Sequence, residues 1–263
     1  MQLKRNFLDR IADFIAGRLT AQSSGYEPYT PSEPHILREV LQPGDILLVE
    51  GNQKVSSAIK YLTQSTWSHA ALYVGDAFPP DDKTGIRPQL IEVNLGEGCV
   101  AVPLSKYKTY NTRICRAHGL TPEDQNAVVD FMVRNLGVAY DMRNIIDLAR
   151  FLIPTPPVPV RWRRKMLAFG SGDPTRAICS TLIAQAYQSV AYPILPDVKL
   201  LEECVDDNCR NYVRTELLHI RHHSLFVPRD FDLSPYFRII KPTIEKGFDY
   251  RKLLWHEAKE EDG

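Results

Sequence analysis

The chain has 263 residues, enough for one large domain with extensions or for two small domains. Its 32 basic and 32 acidic residues cancel, which argues against a global field that would draw it onto nucleic acid or an anionic membrane. A content of 44% hydrophobic and 24% charged residues is typical of an ordinary globular protein and excludes disorder as the default. The longest apolar runs fall far short of the roughly 20 residues that a membrane-spanning helix needs.

Residues 1–36 are predicted to form a segment of their own. Apolar residues recur at helical spacing near its start and predict an amphipathic helix: Leu3, Phe7, Ile11, Phe14, Ile15 and Leu19. We expect this helix to dock on the domain, with a second subunit or peripheral contact with a membrane surface as alternatives. Residues 21–36 contain three prolines and few aliphatic residues, which is typical of a linker.

The five cysteines are an odd number, and the first residues do not have the pattern of a secretory signal. Free thiols in a reducing compartment follow from this, so we expect a cytoplasmic location.

The main domain is predicted to cover residues 37–240, and its first half is rich in strands. Residues 45–50 form the first strand, residues 54–62 a short amphipathic helix, and "SHAALYVG" a strand buried on both faces. Three further strands follow closely, in "QLIEVN", "GCVAVPL" and "RICRA". The economical arrangement is an antiparallel, curled sheet.

Helices dominate the second half. Thr121 is a predicted cap, Pro122 stands at the first helical position, and Gly137 lies past the end of that helix. A further helix is predicted over residues 142–152, followed by a Pro-rich and basic insertion at residues 153–173. The next helix starts near Asp173 to Thr175, carries Cys179 and is apolar at Ile178, Leu182, Ile183, Ala186, Tyr187 and Val190. Residues 241–263 are predicted to be a charged tail.

Cys179 lies just inside its helix, where the partial positive charge of the helix start favours a thiolate. His69 begins a buried strand and is the best candidate for the base beside it. Glu92 interrupts the apolar strand that follows in sequence, so an antiparallel pairing would bring it to His69 as the orienting carboxylate. Each residue also has a structural explanation: a packed cysteine, a core histidine, and a glutamate that is exposed or paired with an arginine.

Two other clusters invite different interpretations. The sequence favours a zinc site at Cys204, Cys209, His219 and either His222 or His223 only weakly. The two cysteines are separated by four residues, and on a helix two side chains at this spacing do not lie on the same face. A polar surface or a wall of the cleft explains "HIRHHS" better. The stretch "RWRRK" would suit a solvated loop or contact with lipid phosphates.

The ordered set "PGDILLVE", "SHAALYVG", "LIEVN" with "VPL", "LGVAYD" and "ICSTLIAQAY" closely resembles the permuted papain-like cysteine hydrolases of the YiiX/YebB group, within the NlpC-type peptidase superfamily. The resemblance covers about residues 41–192. In unpermuted relatives the cysteine helix comes first, whereas here it comes last. The implied fold class is α+β, with a curled antiparallel sheet packed against the helix that carries the cysteine.

The resemblance implies Cys179 as nucleophile, His69 as general base and acid, and Glu92 as the residue that orients His69. Tyr140 matches a tyrosine near the nucleophile in such enzymes, although a buried structural tyrosine explains it nearly as well. The implied activity is hydrolysis of an amide or ester in a small molecule, acyl-lipid or peptide, with no metal, cofactor or nucleic acid. Two alternatives stay open: a thiol acyltransferase, as in the related lecithin retinol acyltransferases, and a noncatalytic lipid- or peptide-binding module. The sequence does not define the oligomeric state.

Overall fold

A computed structural model of the chain describes residues 28–29, 33–94, 97–138, 178–195, 197–200, 216–219, 223 and 226–252. Its main feature is a six-stranded sheet in which every neighbouring pair of strands is antiparallel, as the sequence predicted. The strands are β1 Ile46–Val49, β2 His69–Tyr73, β3 Leu90–Asn94, β4 Gly98–Val102, β5 Thr112–Ala117 and β8 Phe237–Ile240. Their order in the sheet is β4-β3-β2-β1-β5-β8.

The helices and a small second sheet complete the described part. The helices are α1 Pro34–Val40, α2 Lys54–Thr63, α3 Pro122–Arg134, α4 Ile178–Ser189, α5 Pro228–Leu233 and α6 Pro242–Glu245, with 3₁₀ helices at Leu104–Tyr107 and Tyr250–Lys252. Strands β6 Asp197–Leu200 and β7 Glu216–His219 pair with each other. None of the helices in this part of the chain has the length and apolar character needed to cross a membrane.

Both faces of the sheet are covered, which explains why its central strands are almost continuously apolar. On one face Ala70 and Leu72 of β2 pack in a core with Leu182 and Ile183 of α4, and α3 contributes to the same core. On the other face Ala71 and other sheet residues pack against α1 and the 3₁₀ helix Leu104–Tyr107. The prediction that "SHAALYVG" is buried on both sides is therefore confirmed.

Two predicted boundaries differ from the structure, and two short elements were not predicted. Helix α1 starts at Pro34, inside the predicted linker, because proline fits the first helical turn and Leu37 anchors the helix in the core. The predicted charged tail begins with helix α6, and its Lys246 forms an ion pair with Glu39 of α1. Neither α5 nor β8 was predicted from the sequence.

Thr121 caps helix α3 as predicted, since its side chain accepts a hydrogen bond of 3.1 Å from the backbone N–H of Asp124. Replacing Thr121 by alanine is expected to lower the free energy of unfolding by about 1 kcal/mol, because that N–H loses its acceptor. Thr121→Ser keeps the hydroxyl and is the control in a urea titration. An equal loss in both variants would show that the threonine methyl group, not the cap, carries the effect.

Candidate active site

Pairing of β2 with β3 brings two of the predicted site residues together. The register sets Ala71 opposite Glu92, so His69, two residues before Ala71, lies on the same face as Glu92. The Nε2 atom of His69 lies 3.1 Å from Oε2 of Glu92. The Glu92 carboxylate is fully buried, whereas one fifth of the His69 side chain is exposed. The buried carboxylate thus holds the imidazole ring at Nε2, while part of the ring is exposed to solvent.

Cys179 is the third predicted site residue, and it lies near the same imidazole. It is the second residue of α4, which packs against β2 and β3, and its side chain is buried against Val227. The charge and the hydrogen-bonding capacity of Cys179 both raise the pKa of His69, which is consistent with a sulfur close to the imidazole. Since Nε2 of His69 faces Glu92, Nδ1 is the nitrogen left for the sulfur. The structure therefore brings together all three residues that the sequence singled out.

The electrostatics of the site favour a charged imidazole. Burial alone would lower the pKa of His69, but the charges and hydrogen bonds of Cys179 and Glu92 outweigh it and raise that pKa to about 10. Burial would likewise raise the pKa of Glu92, yet His69 and Lys106 hold it well below its usual range. At neutral pH the stable state of this pair is consequently a protonated His69 hydrogen-bonded to an ionised Glu92.

Glu92 has three further partners that the sequence analysis did not identify. Asn94 donates a hydrogen bond of 2.8 Å to Oε1, and Lys106 donates to the same oxygen. The hydroxyl of Tyr107 donates to Oε2, the oxygen that faces His69. Burial, followed by the charge of Glu92, raises the pKa of Tyr107 well above its ordinary value, so this hydroxyl keeps its proton and remains a donor. Asn94 had a detectable signal, since it shares a strand face with Glu92 at a spacing of two.

Residues 226–232, which include most of helix α5, form a wall of the site beside the Cys179 sulfur. The Ser180 hydroxyl donates a 2.6 Å hydrogen bond to the Phe226 carbonyl oxygen, next to the contact between Cys179 and Val227. The backbone N–H of Val227 donates in turn to Asp230 at 2.9 Å. This wall lies just beyond the "HIRHHS" stretch, and the apolar Val227 side chain is its contact with the nucleophile candidate.

The same segment is tied to the residues that precede His69. The indole N–H of Trp67 donates to Oδ2 of Asp232 at 3.0 Å, and Arg113 donates to both oxygens of that carboxylate at 2.7 and 2.9 Å. The Arg113 guanidinium also lies 4.9 Å from the centre of the Trp67 ring. This cluster fixes α5 against β2 and β5 and so fixes the position of the wall.

Several predicted features lie outside the described residues. They are Tyr140, the helix near the start of the chain, the helix over 142–152, the 153–173 insertion, the caps proposed for α4, and Cys204, Cys209 and His222. His219 ends β7 and His223 is half-buried. Within the described ranges, no group of three or more His, Cys, Asp or Glu side chains is arranged to hold a metal ion. The zinc hypothesis thus concerns residues that the structure does not describe.

A curled antiparallel sheet that brings a histidine and a carboxylate near a cysteine on a later helix is the arrangement expected of a permuted papain-like domain. Residues 40–149 match the family model described as permuted papain-like amidase enzyme, YaeF/YiiX, C92 family. This match confirms the resemblance to the YiiX-like permuted papain-like family and the α+β fold class. The matched range contains His69 and Glu92 and ends before Cys179, so the assignment of Cys179 to the site rests on its position beside His69.

Two individual proteins are similar to this chain. The probable lipoprotein peptidase YaeF of Escherichia coli strain K12 is 21% identical over 170 residues, which span 59% of this chain and 58% of YaeF. The crystal structure of the metalloprotein yiiX from Escherichia coli O157:H7 is 17% identical, with a TM-score of 0.42. That match covers 76% of this chain and 96% of the yiiX chain.

Proposed function

We propose that this protein is a cysteine hydrolase that cleaves amide or ester bonds through an acyl-enzyme. The observation that carries the proposal is the His69 imidazole, which lies 3.1 Å from Glu92 and interacts with Cys179. A nucleophile, a base and an orienting carboxylate in this order are the elements of acyl-transfer catalysis. The amidase character of the matching family supports the same reaction class.

In the acylation step the sulfur of Cys179 attacks the substrate carbonyl carbon. A carbon–sulfur bond forms while the carbonyl oxygen becomes an oxyanion. The first N–H groups of a helix have no acceptors within the helix, so we expect those at the start of α4 to stabilise this oxyanion. His69, charged at neutral pH, then gives its proton to the leaving amine or alcohol as the carbon–nitrogen or carbon–oxygen bond breaks.

In the second step water releases the acyl group. His69, now neutral, takes a proton from the attacking water, and the hydroxyl oxygen adds to the thioester carbon. Collapse of this intermediate breaks the carbon–sulfur bond, frees a carboxylic acid and returns the thiolate and imidazolium pair. Glu92 holds the ring in one orientation through both steps, because its Oε2 stays bonded to Nε2.

The acyl group and the acceptor define the remaining alternatives. Val227 places an apolar surface against the sulfur, which suits an apolar acyl chain or an apolar peptide side chain. An alcohol or amine in place of water would turn the same site into an acyltransferase. The cytoplasmic location and peripheral membrane contact remain predictions, and the relative YaeF is named a lipoprotein peptidase.

A panel of fluorogenic amides, esters and N-acyl compounds tests the proposal directly. The wild-type protein is expected to turn over at least one class, and rapid acid quenching should trap an acyl adduct whose mass maps to the Cys179 peptide. Cys179→Ala should lose turnover and adduct together, by at least about 10⁴-fold in rate. Saturable binding of an acyl compound without turnover, equal in both proteins, would support the noncatalytic module instead.

A further inference from the structure

Glu92 is held by more donors than an orienting carboxylate needs. Each of its two oxygens accepts from two side chains: Oε1 from Asn94 and Lys106, and Oε2 from His69 and Tyr107. The carboxylate is completely buried, and an ionised buried carboxylate is costly unless its lone pairs are satisfied. Lys106 is the cation among these donors that does not take part in the proposed proton transfers.

Lys106 reaches this carboxylate from the surface. It lies in the 3₁₀ helix Leu104–Tyr107, directly after β4, and 38% of its side chain is exposed. Its ammonium group also lies 5.5 Å from the centre of the Tyr107 ring, so the two neighbours meet Glu92 as one unit. The hydrocarbon stem of Lys106 therefore lies near the surface, while its charged end is held at the buried carboxylate of Glu92.

We propose that Lys106 is a positioning residue of the active site: with Asn94 it fixes Oε1 of Glu92, so that Oε2 remains directed at His69. This inference rests on the hydrolase function proposed above. Without Lys106 the carboxylate loses a donor and a neighbouring cation, and it can turn away from the imidazole. The imidazolium would then be held less firmly beside Cys179, and the thiolate with it.

Other groups around Glu92 also contribute to its electrostatic surroundings, so the effect of replacing Lys106 must be separated from theirs. They come from β2, the turn between β3 and β4, β4 itself and the 3₁₀ helix, and they are His69, Glu97, Cys99 and Tyr107. Cys179 of α4 interacts with two of these groups, His69 and Tyr107. Glu97 is exposed and accepts a hydrogen bond of 2.9 Å from Asn94, which links it to Glu92. Burial is the main cause and the charge of Glu92 the second cause that raise the pKa of Cys99 to about 11, so the Cys99 thiol stays neutral in the tested pH range.

The test compares Lys106→Met, Lys106→Arg and Lys108→Met by the rate at which iodoacetamide modifies Cys179 across pH. Lys108 is an exposed lysine two residues further on and is not among the partners of Glu92 in the described part of the chain. Lys106→Met is expected to slow the modification of Cys179 about tenfold near pH 6, with a smaller difference from the wild type at alkaline pH. Lys106→Arg should restore most of the rate and Lys108→Met should match the wild type, and urea unfolding of each variant defines the conditions in which the rates are compared on folded protein.

A second comparison asks whether Lys106 acts through Glu92. In a Glu92→Gln background, Lys106→Met should slow modification less than about twofold further, because the carboxylate it positions is gone. An unchanged profile in Lys106→Met, or an equal slowing with and without Glu92, would overturn the inference while leaving the proposed hydrolase intact. If wild-type Cys179 is no more reactive than Cys99, the hydrolase proposal fails and this inference fails with it. Should Glu92→Gln not fold, the methionine and arginine variants of Lys106 still decide the question.

Discussion

Near pH 6, Cys179 is expected to react with iodoacetamide at least about a hundred times faster than Cys99. His69 keeps its proton up to a pKa of about 10, so a positive charge lies beside the Cys179 sulfur throughout the neutral range. A cation next to a thiol favours the thiolate, which is the form that reacts. Both thiols are buried, so the comparison tests the chemical surroundings of each sulfur.

Cys99 and Cys115 provide internal references for this measurement. Burial, followed by the charge of Glu92, raises the pKa of Cys99 to about 11, so the Cys99 thiol is almost entirely neutral near pH 6. Burial raises the pKa of Cys115 further still. The advantage of Cys179 should therefore be greatest at acidic and neutral pH and should narrow as the pH approaches the range where Cys99 ionises.

His69→Gln separates the effect of the imidazolium from that of the helix start. The variant should lose most of the difference between Cys179 and Cys99, and hydrolysis should fall by roughly 10³-fold or more because no general acid remains. His118→Gln removes an exposed histidine at the end of β5 and is the control. Peptide mapping by mass spectrometry reads each of the five cysteines separately. Cys179 reacting as slowly as Cys99 in the wild type would contradict the proposed ion pair.

Local patterns in the sequence predicted five strands of the central sheet and made Cys179, His69 and Glu92 candidates for the site, and the resemblance to permuted papain-like hydrolases strengthened that choice. The alternating and continuous apolar runs of β1 to β5 reflect burial on two faces, and Thr121 with Pro122 reflects the unpaired N–H groups at a helix start. Glu92 stood out because a charged residue in an otherwise apolar strand demands partners. This need for a polar partner, together with the antiparallel pairing expected between the Glu92 strand and the His69 strand, predicted that the two residues lie close together.

The features that the sequence did not reveal depend on contacts between distant parts of the chain. Strand β8 has only four residues, and it becomes a strand because β5 offers it an unpaired edge, with Ile114 opposite Ile240. Lys106 follows a turn with no periodic pattern, and its role arises only when Glu92 lies within its reach. The wall at Val227 likewise requires α5 to be fixed by Asp232, and no local rule connects Asp232 with Trp67 or Arg113.

The largest effect on stability is expected at the turn that precedes β1. Asp45 is 2% exposed and accepts from Arg116 of β5 at 2.8 and 2.6 Å and from the backbone N–H of Gln42 at 2.8 Å. Burial outweighs these partners and raises the pKa of Asp45, so its charged form depends on Arg116. Arg116 also donates to the Val40 carbonyl oxygen at 2.6 Å, which joins α1 to the same cluster.

Arg116→Met should therefore lower the free energy of unfolding by about 3 to 5 kcal/mol, because it leaves a buried carboxylate without its cation. Arg38→Met is the matched control, since the Arg38–Asp76 pair is 3.7 Å long, more than half exposed on both sides, and should contribute at most about 1 kcal/mol. In the Arg116→Met background, Asp45→Asn should recover part of the loss by removing the unpaired charge. Equal losses from Arg116→Met and Arg38→Met in guanidinium titrations would contradict the assignment.

This cluster also reaches the nucleophile, so the same variants have a second measurable consequence. The carbonyl oxygen of Gly44, next to Asp45, accepts a hydrogen bond from the hydroxyl of Tyr187 in α4. Tyr187 is completely buried and lies two helical turns beyond Cys179, so a displaced turn at Gly44 would shift the helix that carries the sulfur. Arg116→Met should therefore slow iodoacetamide modification of Cys179 even under conditions where the protein remains folded. Because Arg38 makes no such connection to α4 among the described contacts, Arg38→Met should leave that rate unchanged.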